Sequence, residues 1–317
     1  MRPTILLAIL VLCSAASTAA QSQGTPAVST APRLTGYLQP RFQTVGDSAS
    51  FFLRRARFAV EGAITPWASY RAQVEMRTIG AAATPVASPL TLSATDLWVK
   101  LNHGRWGGTV GQFRVPFSLE SLLSSTTLET TERSRIVLAA KRDIGAQAEW
   151  RIPDRVALQV AMVNGEGPNR AVNPDNRMAY YARAVVTPVK ALDVGAAFQG
   201  YNDSTGVDGQ AMYHGRRWSG RAEYIRQHNR RTDVHSDGWY MLVAYRAQPR
   251  HVQLVGRVQQ FDPSDRIATD RSTGYLLGIQ YFMRNDDFKV MADYEAFHEQ
   301  VTQLRNNRGV IQLQVRW

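Results

Sequence analysis

Strict alternation of polar and apolar side chains marks the stretch Ser69-Tyr70-Arg71-Ala72-Gln73-Val74-Glu75-Met76-Arg77. Because successive side chains of a β-strand point to opposite faces, this stretch has one polar and charged face and one apolar face. Such a strand is suited to a wall between water and an apolar medium. The same division recurs in the stretches 55–60, 146–151, 288–295 and 311–317, so the chain is predicted to consist mostly of amphipathic strands.

Turn-forming Gly, Pro, Asn and Asp residues divide the chain into sixteen predicted strands. These are residues 33–43, 50–62, 67–79, 90–103, 106–115, 142–152, 155–164, 176–187, 190–202, 206–214, 217–229, 235–247, 250–262, 270–284, 287–299 and 306–317. Tight turns between them are separated by longer connections at 80–89, 116–141, 165–175 and 263–269. Short turns at one end, longer loops at the other and an even strand count are typical of an outer-membrane barrel.

Aromatic residues favour a membrane barrel over a soluble β-sandwich, whose strands alternate in the same way. Five tryptophans are predicted at the short-turn ends of strands, as in an aromatic girdle at one membrane interface: Trp67, Trp106, Trp150, Trp218 and Trp317. The chain also ends on an aromatic residue that completes an alternating strand. We therefore predict an all-β fold, a transmembrane antiparallel β-barrel of about 16 strands over residues 33–317, located in the bacterial outer membrane.

The first residues have the pattern of a secretory signal peptide, with Arg2, an apolar run from Ile5 to Leu12 and small residues up to Ala20. The apolar run is well short of the roughly 20 residues needed to span a bilayer. We expect a signal peptide over residues 1–20 and a flexible leader over residues 21–32. The single cysteine, Cys13, would leave with the signal, so neither a disulfide framework nor a CxxC zinc site is expected.

Composition excludes several other classes. The chain has 37 Lys and Arg against 26 Asp and Glu, a formal charge of +11, and 44% hydrophobic residues, which is too apolar for a disordered protein. No later stretch approaches 18 consecutive apolar residues, so a helical membrane protein is excluded. The basic residues are spread over alternating strands and form no single stripe, so nucleic acid is not expected as a partner.

The segment Val110-Gly111-Gln112-Phe113-Arg114-Val115-Pro116-Phe117-Ser118-Leu119-Glu120 resembles the phosphate-selective porin O/P family, as do Thr131-Glu132-Arg133-Ser134 and Lys141-Arg142-Asp143-Ile144-Gly145. The basic stretch 53–58 is similar to that family's second strand. The resemblance covers about residues 35–165. It implies a homotrimer of sixteen-stranded barrels in outer-membrane lipid that passes small anions such as phosphate. It also implies an arginine ladder on the wall and a long third loop, here 116–141, folded inward as the constriction.

The predicted registers turn more basic than acidic side chains toward the lumen. The basic ones are Arg55, Arg57, Arg71, Arg77, Lys100, Arg114, Arg151, Arg183, Arg221, Arg246, Arg257, Lys289 and Arg316. The acidic ones are Glu61, Glu75, Asp96, Glu149, Glu223, Asp293 and Glu295. Guanidinium groups stay charged and present a fork of donors to anionic oxygens, so a net basic lumen is favoured. The alternative is that these arginines only pair with neighbouring acids and keep the lumen wet.

The connection 116–141 carries clustered hydroxyl and guanidinium groups, which suit an anion at a constriction. By resemblance, Ser124, Ser125 and Arg133 would face the constriction opposite Asp96. The candidate pore-lining and anion-binding residues are therefore Arg55, Arg57, Arg71, Arg77, Asp96, Lys100, Arg114, Ser124, Ser125, Arg133, Arg135, Arg142, Arg183 and Arg221. The front of the connection has no lysine, and Glu120, Glu129 and Glu132 add negative charge, so general anion passage is favoured over dedicated phosphate uptake.

No enzyme signature accompanies these features: the chain has no G-x-S-x-G or HExxH motif, and no cofactor is expected. His228 and His235, with Asp233 and Asp237 nearby, keep open a metal site or surface protease on an outer loop. The main alternative to a porin is a non-conducting structural or adhesion barrel plugged by the connection 116–141.

Overall fold

The computed structural model describes residues 31–78, 90–136, 142–247, 251–300 and 305–317, without the side chains of residues 77, 78, 90 and 91. The expected signal peptide, most of the expected leader and residues 137–141 of the long connection lie outside the described residues.

The described residues form sixteen strands and one short helix. The strands are β1 (Arg33–Val45), β2 (Ser48–Thr65), β3 (Ala68–Thr78), β4 (Leu90–His103), β5 (Trp106–Arg114), β6 (Arg142–Ile152), β7 (Val156–Val163), β8 (Ala179–Val189), β9 (Leu192–Tyr201), β10 (Ser204–His214), β11 (Trp218–Asn229), β12 (Val234–Arg246), β13 (Val252–Asp262), β14 (Ser272–Arg284), β15 (Phe288–Glu299) and β16 (Arg308–Arg316). The helix α1 (Leu119–Leu122) follows β5. Among the described residues, no helix has the length and apolar character required to span a bilayer.

The strands form one closed antiparallel barrel, in which each strand pairs with its neighbours in sequence and β1 pairs with β16. At this seam Tyr37 lies opposite Arg316, and the main-chain N–H groups of Gly36 and Trp317 each donate to the other's carbonyl at 3.1 Å. The sixteen-stranded all-β prediction is confirmed, and the predicted strand ends lie within three residues of those observed.

The two faces of the wall differ as the alternation predicts. Along β12, Tyr240 and Leu242 are buried on the interior face, whereas Met241 between them is 53% exposed on the outer face. Large apolar side chains are exposed on the outer face of other strands too, for example Leu277 on β14 at 75% and Ile311 on β16 at 55%. Since exposed apolar surface of this extent is unfavourable in water, the outer face is suited to lipid.

Five of the seven tryptophans lie at one end of the barrel, here named the short-turn end, where the β2–β3, β4–β5, β6–β7, β8–β9 and β10–β11 turns lie. Trp67 is in the β2–β3 turn, Trp106 and Trp218 begin β5 and β11, Trp150 lies near the end of β6, and Trp317 ends the chain. The opposite end is here named the long-loop end, although not all of its connections are long, as the sequence pattern predicts. Its β1–β2 and β9–β10 connections have only two residues each, 46–47 and 202–203.

Candidate channel and its constriction

A β-bulge between β1 and β2 turns two consecutive arginines toward the barrel interior. Gln39 lies opposite Arg55 and Pro40 opposite Leu53, so Arg54 is the extra residue of β2. Arg54 and Arg55 both donate to the carboxylate of Glu132 in the β5–β6 connection.

Glu132 also accepts a hydrogen bond from Arg41 of β1, with Nη1 and Oε1 2.7 Å apart. One carboxylate of the connection therefore holds three arginines of the wall, Arg41, Arg54 and Arg55, and its side chain is only 14% exposed.

A second bulge, between β3 and β4, turns Thr95 and Asp96 to the interior together. Ala72 lies opposite Leu97 and Val74 opposite Ala94, so Gln73 alone faces Thr95 and Asp96. The Asp96 carboxylate accepts from Arg142 Nε at 2.6 Å, and Arg71 Nε lies 3.7 Å from its other oxygen. Asp96 thus links arginines of β3 and β6 across the intervening strands.

Two cavities lie between this part of the wall and the β5–β6 connection. The first, of about 530 Å³, reaches the short-turn end at Arg33 and Trp317. The second, of about 510 Å³, reaches the β7–β8 connection at Asn169. Arg57 and Arg114 line both cavities, so the cavities meet at these two side chains.

The charges that line the two cavities are mostly positive. Nine arginines line them against three carboxylates. The arginines are Arg33, Arg54, Arg55, Arg57, Arg71, Arg114, Arg133, Arg142 and Arg316, and the carboxylates are those of Glu61, Glu75 and Asp96.

Arg114 and Arg133 differ from the other lining arginines in their partners. Arg114 Nη1 donates to the carbonyls of Leu122 and Leu123, each at 2.7 Å, where α1 ends. Arg133 donates to the carbonyls of Glu120 at 2.8 Å and Leu123 at 2.7 Å. Neither guanidinium forms a direct ion pair with a carboxylate of the described residues.

The β5–β6 connection also bonds to the opposite part of the wall. On β10 and β11, Asp208 accepts from the Ser118 N–H at 3.2 Å and Glu223 accepts from the Leu119 N–H at 2.9 Å. On β15, Asp293 accepts from the Thr131 N–H at 2.6 Å. Buried carboxylates of the wall therefore satisfy main-chain donors that would otherwise be left unpaired.

The acidic side chains of the connection are also engaged by the wall. Glu120 is fully buried, accepts from Arg221 Nη2 at 3.2 Å, and accepts from the N–H and hydroxyl of Ser134 at 2.6 and 2.7 Å. Arg221 also bonds to Glu129. The negative charge that the sequence places in the connection is thus directed at wall arginines.

Apolar packing fixes the two ends of the connection. Val115, Phe117 and Ile136 belong to one buried cluster with the interior-facing wall residues Ile225 and Tyr240, among others. Gly238 on β12 is required at this contact, because a Cβ atom there would lie 2.5 Å from Ile136 Cγ2.

The residues expected to line a pore fall into two groups. The cavities bring together Arg55, Arg57, Arg71, Asp96, Arg114, Ser124, Arg133 and Arg142. The other candidates do not line either cavity. Lys100 pairs with Glu149, and Arg135 pairs with Glu299. Ser125 bonds to the Tyr37 hydroxyl, Arg183 donates to Gln159 and Gln210, and Arg221 pairs with Glu120. The side chain of Arg77 lies outside the described residues.

Sequence reasoning missed Arg41, Arg54 and the role of Glu132. Strict alternation places Arg54 on the outer face, and only the bulge reverses this. Pro40 is the signal that was available, because proline inside a sheet is confined to edges, strand starts and bulges.

The two histidines considered for a metal site stack face to face, with ring centroids 4.1 Å apart. His228 bonds to Asp233 and His235 to Asp265, and hydrogen bonds from the main-chain N–H and imidazole of His235 lower the pKa of the Asp265 carboxyl. Within the described residues no group of three or more His, Cys, Asp or Glu side chains could hold a metal ion.

Comparison with solved structures gives the same architecture. The barrel is similar to OmpF of Salmonella typhi in complex with daunomycin, with a TM-score of 0.67, 14% identity, and 90% of this chain and 97% of that chain covered. It is similar to an anion-selective porin from Comamonas acidovorans, with a TM-score of 0.66, 10% identity, and 90% and 99% covered. OmpT of Vibrio cholerae in its trimer form gives a TM-score of 0.65 at 10% identity, with 90% and 99% covered. At these identities the likeness is one of fold.

Among curated proteins, no sequence matches this chain. A family match, by contrast, spans residues 35–211 and 189–317 and carries the description phosphate-selective porin O and P. Porins are channels and not enzymes, and they lie in the outer membrane. The match extends the resemblance in the first half of the chain across the barrel, and the chain therefore belongs to the phosphate-selective porin O and P family.

Proposed function

We propose that this porin passes small anions by diffusion along a path between the β2–β6 wall and the β5–β6 connection. The observation that carries the proposal is the pair of cavities that meet at Arg57 and Arg114. Because one cavity reaches each end of the barrel, an ion crossing by this path must pass both guanidiniums.

We infer that the connection lies inside the barrel and forms the constriction. The inference is supported by its hydrogen bonds to interior-facing side chains on opposite parts of the wall, such as Arg41 on β1 and Glu223 on β11. The cluster around Phe117 and Ile136 then fills the far side of the lumen and leaves the arginine-lined side as the path.

Electrostatics favour anions on this path. Arg57 is paired with Glu75 at 2.9 Å, and Asp96 offsets Arg71 and Arg142, but Arg114 and Arg133 have no direct carboxylate partner among the described residues. In a narrow channel with low-dielectric walls the fields of fixed charges concentrate counterions. Ser124 and Thr126 add hydroxyl donors beside Arg114, which can replace part of an anion's hydration shell.

A non-conducting barrel plugged by the same connection is the second candidate. The extent of the buried contacts between the connection and the β10–β16 wall favours it, because these contacts hold the connection across the lumen. The two candidates differ in one observable, ion conductance.

The test is single-channel recording in a planar bilayer with residues 21–317, the chain expected after signal cleavage. A reversal potential of anion-selective sign in a KCl gradient is expected for the wild type. Replacement of these two cations, Arg114→Gln with Arg133→Gln, is expected to reduce anion selectivity. The variants Arg114→Lys and Arg133→Lys retain the positive charge. They therefore distinguish the effect of charge on selectivity from the structural role of the two guanidiniums at the end of α1.

Arg183→Gln is the matched control, because Arg183 is an interior-facing arginine that does not line either cavity. A cation-selective wild type, or equal effects of the control and the Arg114/Arg133 pair, would contradict the proposed path. Folded, heat-modifiable protein without conductance would favour the plugged barrel.

We also propose that the porin assembles as a homotrimer and that phosphate is among its solutes, as the family description suggests. Native mass spectrometry in detergent tests the assembly. Block of the chloride current by added phosphate tests the solute, and its absence would leave general anion passage as the function.

A further inference from the structure

Four consecutive turns at the short-turn end carry exposed cations without a partner. They are Arg105 in the β4–β5 turn, Arg155 in β6–β7, Lys190 in β8–β9, and Arg216 with Arg217 in β10–β11. Within the part of the chain that the structure describes, none of these five side chains forms a hydrogen bond or an ion pair. Their charge is therefore available to a ligand outside the chain.

Cations of β1, β15 and β16 at the same rim are paired. Arg33 bonds to Glu61 at 3.1 Å, and Arg316 lies 2.6 Å from Asp287. Lys289 bonds to Asp286 at 2.9 Å. The five unpaired cations lie on the arc from β4 to β11, named here the cationic arc.

A cavity of about 800 Å³ lies inside the cationic arc, between the β6–β7 and β8–β9 turns. Its lining includes Asp154, Arg155 and the segment 186–191, which contains Lys190. The turns are held together by the Thr187 N–H, which donates to the Arg155 carbonyl at 2.8 Å. With two cations against the carboxylate of Asp154, the cavity has a net positive charge.

The same cavity has an apolar side. Val186 is 46% exposed and Val189 61% exposed, and both line the cavity. Trp106 and Trp218, at the same end of the barrel, are 63% and 54% exposed. Since exposed tryptophans collect at the boundary between headgroups and hydrocarbon, the cavity lies at the height of lipid headgroups.

We propose that this cavity binds the phosphodiester headgroup of an anionic phospholipid in the leaflet at the short-turn end. Arg155 and Lys190 hold the phosphate oxygens, and Val186 and Val189 contact the glycerol and the first methylenes of the acyl chains. A soluble anion would use the cations and leave the two valines exposed to water, so the combined lining favours a lipid. The other cations of the arc attract further anionic lipid less specifically.

The test is native mass spectrometry of the purified porin in detergent with added phosphatidylglycerol or phosphatidylcholine. We expect retained phosphatidylglycerol on the wild type. Each basic residue near an anionic surface strengthens binding about fivefold, so Arg155→Gln with Lys190→Gln should weaken it about 25-fold. Arg230→Gln with Arg231→Gln, two exposed cations at the long-loop end, is the matched control and should have no effect.

Four results would overturn the proposal. Equal retention of phosphatidylcholine would show that binding does not depend on the charge of the lipid. An equal loss of lipid binding in the control pair would show that binding does not depend on the cavity. Competition by glycerol phosphate or inorganic phosphate at the strength of the lipid would identify a soluble anion as the ligand. Binding of an anionic cell-wall fragment without lipid would assign the arc to a different partner.

Discussion

Glu132 organises the arginines of β1 and β2 because its carboxylate accepts from Arg41, Arg54 and Arg55. Without this carboxylate, three guanidiniums would lie close together with little compensation. A buried ion group of this kind adds little net stability relative to an apolar core, but removal of one member leaves the others desolvated and unpaired.

Glu132→Gln should therefore lower the free energy of unfolding by about 3 kcal/mol, measured by urea denaturation in detergent. Glu299→Gln is the control: its partner Arg135 is 37% exposed, and exposed pairs contribute less than about 1 kcal/mol. Similar decreases in the free energy of unfolding of the two variants would show that the Glu132 cluster stabilises the barrel no more than an exposed ion pair does.

Asp96 pairs with two other lining arginines, Arg142 and Arg71, and on the proposed path its carboxylate would compete with a permeating anion for them. At about 4 Å one charge contributes about 1 kcal/mol in water, so Asp96→Asn should strengthen anion binding about fivefold. A shift of the reversal potential in the anion-selective direction checks this. Glu149→Gln, whose partners are Lys100 and Arg151 outside the cavities, should leave it unchanged.

At the scale of the element, the β1–β2 bulge decides which side chains of β2 face the interior. A regular strand would present the arginines Arg55 and Arg57 alone, whereas the bulge adds Arg54 and shifts the pairing of β2 with β1 by one residue beyond it. Bulges of this kind re-aim side chains next to functional sites.

Deletion of Arg54 should therefore leave a folded barrel, because Leu53 and Arg55 already face adjacent residues of β1. Deletion of Tyr224 from the regular strand β11 should prevent folding, because every side chain on one side of the deletion would change face. Heat-modifiable migration on gels and far-ultraviolet circular dichroism distinguish the two. A folded Tyr224 deletion would mean that the register is not fixed by the buried face.

The features that the sequence predicts are those that depend on residues close together in the chain. Alternation and turn residues are local, so sixteen strands could be placed within three residues of their ends. The same alternation correctly predicts which side chains on regular strand segments face the interior, for example that of Arg57. The pairing of Glu120 with Arg221, which lie 101 residues apart, has no local signal. The sequence alone therefore predicts that the acids of the connection oppose anion passage, whereas in the structure they pair with arginines of the wall.

For the whole molecule, closure of the barrel does not depend on the β5–β6 connection. The wall completes its main-chain hydrogen bonds strand to strand, and the β5–β6 connection contacts it mainly through side chains. The barrel should therefore persist without the connection, whereas the path for ions should not keep its width.

Replacement of residues 118–134 by a short Gly-Ser linker should give a folded channel with severalfold higher conductance and weaker anion selectivity. The reason is that a sixteen-stranded barrel without a constriction encloses a wide aqueous channel, where salt screens the wall charges within about 8 Å. Single-channel recording checks both quantities. An unchanged conductance would place the constriction elsewhere.

The seam between β1 and β16 has a consequence for biosynthesis. Gln39 and Gln314, 275 residues apart, bond across it, and the final residue Trp317 bonds to Gly36. The barrel thus cannot close before β16 has been made, and until then the chain exposes two unpaired strand edges that invite aggregation. Export must keep the polypeptide unfolded until β16 has been made, and a chain that lacks β16 should be a substrate for proteolysis and not for membrane insertion.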